Sequence, residues 1–579
     1  MYLGMRKRLL FLLFTILSYY PVQAADYLFR YGKTDYTIVL PAEASKSERT
    51  AAKELQKYVK EISGAVLDIS EGTIANGKKI YVGYNRKADA FRNVSEYDVE
   101  DEGFTYRKVG HDLIIYGGRH RGTMYGVFSF LENELGVRWY TPKVTVVPKR
   151  KRYKIPALNH SESPAMKVRF TDYNETTVGG TKVEWSARNK ENMKFVGQEN
   201  AYGDLYGFNR SHTMGIFVPA SKYFEKHPEY FALRNGKRIP NGQLCLSNPD
   251  VLKICVREMR NDIETRPTAL FHSLSQNDSY DYCECERCKA IEERYGGHSG
   301  LIIWFVNQVA DAIKKDYPKA LLNTYAYQYS VKPPVGIKPR ENVAVVLATT
   351  GCCLAHPFGE RCKVYPYDND AFMNNLEGWS KICDNLFIWE YVVNVKHPLA
   401  PFVNLQAFGP SVQTFTDNNV AGVFAEARLD APGGAFAQMK NWTLLKLMWN
   451  PQLNTDELAK DFIYGYYGKS APYIWKYYKL SKFLINNNTH FYIRQESNDP
   501  MFTDDFISKA CVLMNKALAA SVADKEHLMR VEEWSLEVLY LKNMKKGKVA
   551  EKDGSRQKFY ELVKKHDVGV KPDFRFVEQ

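Results

Sequence analysis

Three carboxylates stand where an apolar run stops. The segment LFHSLSQND ends on Asp278, NLFIWEY carries Glu390, and VAGVFAEA carries Glu426. Cleaving a glycosidic bond needs two carboxyl groups on one site. One protonates the leaving oxygen; the other attacks the anomeric carbon, activates water or steadies a nucleophile borne by the substrate. In a barrel of parallel strands the chemistry sits at the C-terminal strand ends. The pattern therefore predicts a catalytic set of Asp278, Glu390 and Glu426, closing the fourth, seventh and eighth strands. For any one of them the competing reading is a helix cap or half of a surface salt bridge. Substrate contacts are expected from Asn277, whose amide suits a hydroxyl or acetamido group, and from Arg210 and His212 at another strand end. An Asx-turn is the plainer reading of Asn277, and a structural histidine that of His212. Tyr327 and Trp389 are read as sugar platforms or ordinary core. Trp389 and Glu390 are adjacent, so on a regular strand they face opposite ways.

Cysteine offers a second chemistry. YCECERCKA sets Cys283, Cys285 and Cys288 just beyond the predicted fourth strand, and Cys352 and Cys353 follow the sixth. The C-x-C-x₂-C spacing is possible for zinc, but no second C-x₂-C or histidine pair completes it nearby. Ten cysteines is an even number, and in an oxidising compartment that favours disulfides tying the loops. Neither a metal nor another cofactor is expected, and no histidine and acid are spaced to make a cysteine nucleophilic.

The elements that must position these groups follow from periodicity. Residues 1–24 read as a signal peptide: Arg6, Lys7 and Arg8, the apolar stretch Leu9 to Leu17, then Val22 and Ala24 before a break at Ala25. The mature chain is then expected in the periplasm, at the cell surface or secreted, with no membrane span. Residues 25–155 read as a small α/β domain. Tyr36–Leu40 alternates as a strand, Ser45 and Glu48 form a capping box, and Ala51, Leu55, Tyr58, Val59 and Ile62 recur at helical spacing. Strands follow at Lys79–Tyr84, Gly103–Arg107 and Asp112–Tyr116, with a helix from Arg121 to Leu135. Residues 156–450 alternate buried strands with helices and predict a (β/α)₈ TIM-like barrel. Its strands are placed near 166–172, 207–213, 243–247, 269–276, 321–328, 343–349, 385–392 and 420–426. The fold class is therefore α/β, with residues 451–579 forming a helical C-terminal region.

Net charge is +13, but the basic residues are spread along the chain, which excludes a nucleic-acid patch as the organising feature. Aromatic residues reach 14%, with 39 Tyr, and flat rings with polar tips suit pyranose faces. A carbohydrate or the glycan of a glycoprotein is the expected partner.

The stretch GGRHRGTMYGVFSFLENELGVRWYTP resembles the small N-terminal domain that precedes the barrel in hexosaminidases and α-glucuronidases. KYFEKHPEYFALRNGKR, GQLCLSNPDV, SLSQNDSYDYCECERCKA, DNLFIWEYVVN, AGVFAEARLDAPGGAF and LAKDFIYGYYGKSAPYI resemble the DUF4838 family, which overlaps glycoside hydrolase family 163. The resemblance implies endo-β-N-acetylglucosaminidase activity on N-glycans. It also implies a substrate-assisted arrangement, in which an amide and an acid such as Asn277-Asp278 serve the sugar's own acetamido oxygen. Two positions depart from that pattern. Glu390 stands where an Asp is expected, and Glu426 is displaced by one residue in Phe-Ala-Glu, a shift that turns a strand side chain to the other face. This predicts Asp278 and Glu390 as the working pair, with Glu426 turned away. A glycosidase of other specificity (uronide or galactoside) and a carbohydrate-binding barrel without activity are the rival functions.

Overall fold

The computed structural model describes residues 26–569, apart from 73–75, 96–101, 178–182, 196, 198, 209, 365–366, 429–431, 487 and 497–499. The predicted signal peptide lies outside the described residues. None of the described helices is long and apolar enough to cross a membrane.

The N-terminal part is built on β1 (Tyr36–Leu40), α1 (Lys46–Ser63), β2 (Asp68–Glu71), β3 (Lys78–Val82), β4 (Phe104–Val109), β5 (Asp112–Gly117), α2 (Gly122–Asn133) and β6 (Asn159–Glu162). The strands form one sheet in the order β6-β4-β5-β3-β1-β2. The Ser45–Glu48 capping box opens α1, and Gly64 closes it at a φ of 83°, which glycine adopts without a Cβ clash. Ala51, Leu55, Tyr58, Val59 and Ile62 then share the buried face, as their spacing demands.

A second sheet of six parallel strands curls into a half-barrel. It comprises β7 (Val168–Thr171), β10 (Phe271–Ser273), β11 (Leu321–Ala326), β12 (Val343–Ala348), β13 (Leu386–Tyr391) and β14 (Val420–Glu426), ordered β7-β14-β13-β12-β11-β10. A short parallel ladder, β8 (Met193–Lys194) with β9 (Tyr206–Gly207), touches both edges of this sheet. Asn192 N donates to Arg169 O (3.3 Å) at one edge, and Gly207 N donates to Thr268 O (3.0 Å) at the other. Val168, Phe170, Met193, Phe208, Phe271, Tyr325, Val346, Phe387 and Phe424 fill the concave side. Leu322 and Val343 face the convex side under α3 (Pro249–Thr265) and α4 (His298–Lys314), and Val345, Leu347, Leu386, Ile388, Val423 and Ala425 face it where helices including α5 (Asn369–Ser380), α6 (Leu405–Asp417) and α7 (Ala437–Trp449) cover them. Both faces are thus apolar, as in a parallel sheet covered on each side.

Helices α8 (Thr455–Tyr466), α9 (Ala471–Lys482), α10 (Asp504–Ser521), α11 (Lys525–Lys545) and α12 (Ser555–His566) follow. Asn454, Thr503 and Asp524 cap α8, α10 and α11 through their side-chain oxygens.

Two predicted strands are corrected. Residues 207–213 shrink to Tyr206–Gly207, because His212 sits at a φ of 55°, outside any strand conformation. At 243–247 there is no strand, only an isolated bridge from Leu244 to Phe231. A two-residue strand at 193–194 was not predicted, because that length carries no periodic signal. None of the ten cysteines is in a disulfide, so the bridges expected from their even number are not formed.

A buried charge cluster joins the first sheet to the second. Glu102 receives Arg169 Nη2 at 2.5 Å and Arg121 Nη1 at 3.2 Å, with Asn192 Nδ2 at 3.0 Å. Burial opposes ionisation of Glu102, but Arg169, Arg121 and Asn192 outweigh it and hold the carboxyl below its usual range.

Candidate active site

Strand parity decides which carboxylates share the concave mouth. Phe387 and Trp389 face the concave core, so Glu390 between Trp389 and Tyr391 turns to the convex side with Leu386 and Ile388. There it is 4% exposed, and its Oε2 has no hydrogen-bond partner among the described residues. Burial pushes its carboxyl up to about 8, tempered by Thr349, and its charge reaches Cys352. Glu390 is therefore placed away from the mouth.

Glu426 takes the opposite position. Phe424 lies in the concave core, stacked on Phe170, and Glu426 two residues on shares that face. Trp389 Nε1 donates to Glu426 Oε2 at 2.6 Å. Burial raises the Glu426 carboxyl, and the indole N–H partly offsets this. The one-residue displacement that predicted Glu426 turned away does not have that effect.

Asp172 follows β7 and joins this group, though sequence reasoning passed over it. It is 4% exposed, and its Oδ1 accepts the Ala427 amide at 2.5 Å. Burial first, and then the neighbouring Glu426 charge, push it up to about 7 against that hydrogen bond. The signal was present: the strand predicted near 166–172 ends on this acid, as the other three segments end on or carry theirs.

Across the mouth, Asp278 is exposed, and two donors converge on its Oδ1: Tyr327 Oη at 3.0 Å and Gln328 Nε2 at 2.9 Å. Burial, then the Asp278 carboxylate, push the Tyr327 phenol up to about 12. The charges of Glu426, Tyr327 and Asp278 all act on the Tyr391 hydroxyl, after burial has raised it. Tyr325 stands edge-on to Trp389 (5.6 Å between centroids), so aromatic rings line the space between the acids.

The remaining predicted contacts divide. His212 donates from Nδ1 to Gln276 O (2.8 Å), because a carbonyl only accepts, and its ring lies beside Tyr325 and Tyr327. Arg210 is exposed. Asn277 is a brace: its Oδ1 accepts Gly215 N (3.0 Å), and its Nδ2 donates to Gly242 O (2.8 Å). Each end of the amide thus holds a loop in place, and its second N–H and second lone pair remain for a substrate contact.

Comparison with known proteins extends the description. The chain resembles a family GH115 4-O-methyl-α-glucuronidase with specificity for decorated arabinogalactans, at 12% identity and a TM-score of 0.59. That likeness covers 93% of this chain and 77% of the other, and at such identity it is one of fold. A chitobiase of Flavobacterium johnsoniae shares 11% identity over 92% of this chain and 95% of its own, with a TM-score of 0.46. No protein with a curated description matches. Residues 16–130 match the family model described as the glycosyl hydrolase family 67 N-terminus. Residues 139–479, more than half of the chain, match the model described as a domain of unknown function, DUF4838, and the chain belongs to that family.

Proposed function

We propose that this protein is an exported glycoside hydrolase that opens β-N-acetylglucosaminide linkages, as in N-glycans. The observation that carries the reading is the joint placement of Glu426 and Asp278 at one mouth lined by Trp389, Tyr325 and Tyr327. The resemblance of the motif set to glycoside hydrolase family 163 supports the substrate class, and the basic-apolar-small pattern of residues 1–24 supports export. The β8–β9 ladder supplies the second and third staves of a closed (β/α)₈ barrel, bridging the two edges of the half-barrel.

In this reading Glu426 is the general acid. Burial and the adjacent Asp172 keep a proton on the pair near neutrality, and the Trp389 indole fixes the oxygen that accepts it. Asp278, exposed and held by Tyr327 and Gln328, is the second carboxyl group. It steadies positive charge at the anomeric centre or orients the substrate's acetamido group. Asp172 is a positioning residue, acting through Glu426.

Activity should fall as pH rises past the ordinary carboxylate range, because the proton is then lost from the Glu426 carboxyl, which burial raises, beside an Asp172 pushed up to about 7. Steady-state kcat/KM measured against pH on aryl N-acetyl-β-glucosaminides and released N-glycans checks both the substrate and the limb. A profile flat through neutrality removes the acid assignment. A uronide is the second reading, favoured by Arg210, an exposed cation two residues before His212, whose ring lies beside Tyr325 and Tyr327; aryl glucuronides in the same panel decide it. Binding without turnover across the panel would make the protein a carbohydrate-binding one.

A further inference from the structure

We propose that the chain holds two structural zinc ions, one on Cys245, Cys283, Cys285 and Cys288, the other on Cys353, His356, Cys362 and His490. In each set the four ligand atoms lie within 4.8 Å of one another.

In the first set Cys245 Sγ lies 3.6 Å from Cys285 Sγ and 3.9 Å from Cys288 Sγ. A disulfide needs about 2.05 Å. Four thiolates at about 2.3 Å from a tetrahedral zinc stand about 3.8 Å apart, which is the spacing seen. All four cysteines are buried, and their neighbours suit anionic sulfur. Leu233 N donates to Cys283 Sγ at 3.4 Å, and Arg238 Nη1 lies 3.7 Å from the same atom. Ser247 Oγ lies 3.2 Å from Cys288 Sγ and 3.5 Å from Cys245 Sγ. A guanidinium and polar donors around a tetrathiolate offset its net negative charge. Cys245, the fourth ligand, lies 38 residues before Cys283, a separation that falls outside any short spacing motif.

The second set is built independently. Cys353 Sγ lies 3.4 Å from His356 Nδ1 and 3.4 Å from His490 Nδ1, and Cys362 Sγ lies 3.3 Å from His490 Nδ1. A zinc with bonds of about 2.0 and 2.3 Å sets nitrogen and sulfur about 3.5 Å apart. His356 Nε2 donates to Asn486 O at 3.2 Å, which fixes the tautomer with Nδ1 free to ligate. Tetrahedral sulfur-rich and sulfur–imidazole sets both select zinc over hard cations.

The two ions do different mechanical work. The first ties the Cys245 segment to the loop carrying Asp278, five positions before Cys283. The second pins the segment after α9 to the loop after β12, where Leu354 N also donates to Phe491 O at 2.7 Å.

Elemental analysis of the full-length protein, purified without chelator, should give two zinc per chain. Cys285→Ser and His490→Ala should each lower this to one, and the double variant to none. Replacing zinc with cobalt should give the intense visible bands of a tetrahedral thiolate site, with thiolate charge transfer weakened more by Cys285→Ser than by His490→Ala. Should a variant fail to fold, titration of the native protein with an organomercurial decides alone, zinc leaving in step with six thiols. Absence of zinc from protein whose ten thiols all react freely would overturn the proposal. So would peptide mapping that finds disulfides among these cysteines, or iron in place of zinc.

Discussion

Glu426→Gln should lower kcat by about 10²–10⁴-fold, the usual worth of a positioned acid. Gln keeps the volume and can still meet the Trp389 N–H through its carbonyl oxygen, so the lost quantity is the proton and not the packing. Asp278→Asn should show a loss of the same order, since a neutral amide cannot balance charge in the transition state. Glu390→Gln is the contrast: its carboxyl is buried on the convex side, pushed up to about 8, and already neutral at pH 7. Its turnover should stay near that of the wild type. Its stability should differ in a defined direction. The folded protein retains a proton there that the unfolded chain gives up above about 4.3, so stability falls as pH rises from that value through about 8. Gln removes this dependence, and the variant should outlast the wild type in alkali. Kinetics on an N-acetyl-β-glucosaminide, with thermal melts at pH 6 and 9, test all three substitutions. A large loss for Glu390→Gln beside full activity for Glu426→Gln would reverse the proposed site.

Glu102→Ala should cost about 3–5 kcal/mol, since it leaves two guanidinium groups buried without a counter-charge. Arg169 is 0% and Arg121 1% exposed, so water cannot take over the missing role. Arg169 also stacks on Trp449 at 5.1 Å, and Arg121 on Tyr206 at 4.5 Å, which fixes both arginines where they are. Urea unfolding of the variant, followed by circular dichroism, should show the midpoint falling by an amount that matches. Replacing all three charged residues with Met should recover much of the loss, because apolar packing of like volume substitutes for buried ion clusters. A drop below about 1 kcal/mol for Glu102→Ala, the value of an exposed pair, would show that the cluster does not clamp the two sheets.

Much of the architecture was legible because it rests on local rules. The capping box at Ser45 and Glu48 and the α1 stripe involve neighbours in sequence. Strands β11 to β14 announce themselves as apolar runs of six or seven residues buried on both faces. Strands β8 and β9 span two residues each and offer no period to read. The site was legible as a set of strand-end acids, but not as a geometry. Opposite facing of Trp389 and Glu390 follows from the sequence alone; which of them looks inward does not. That depends on the register Tyr391↔Glu426 and on the ring packing of Phe424 against Trp389. Asn277 could be counted as polar, yet its engagement by Gly215 and Gly242 arises from loops 35 and 62 residues away. His490 reaches Cys353 across 137 residues, a distance over which spacing motifs say nothing.

The indole of Trp389 makes the site self-reporting. Its N–H points at a single carboxylate oxygen, so a proton arriving on or leaving Glu426 changes the electric field along the ring and with it the colour and yield of its emission. Nine tryptophans obscure that change in a raw spectrum. Subtracting the pH titration of Trp389→Phe from that of the native protein should isolate one sigmoid, with its midpoint above the normal glutamate range. Sugar binding should displace the midpoint, giving an optical readout of occupancy without a labelled ligand and before any bond is cut. A featureless difference curve would mean that the indole and the carboxylate do not share a proton-sensitive contact in solution.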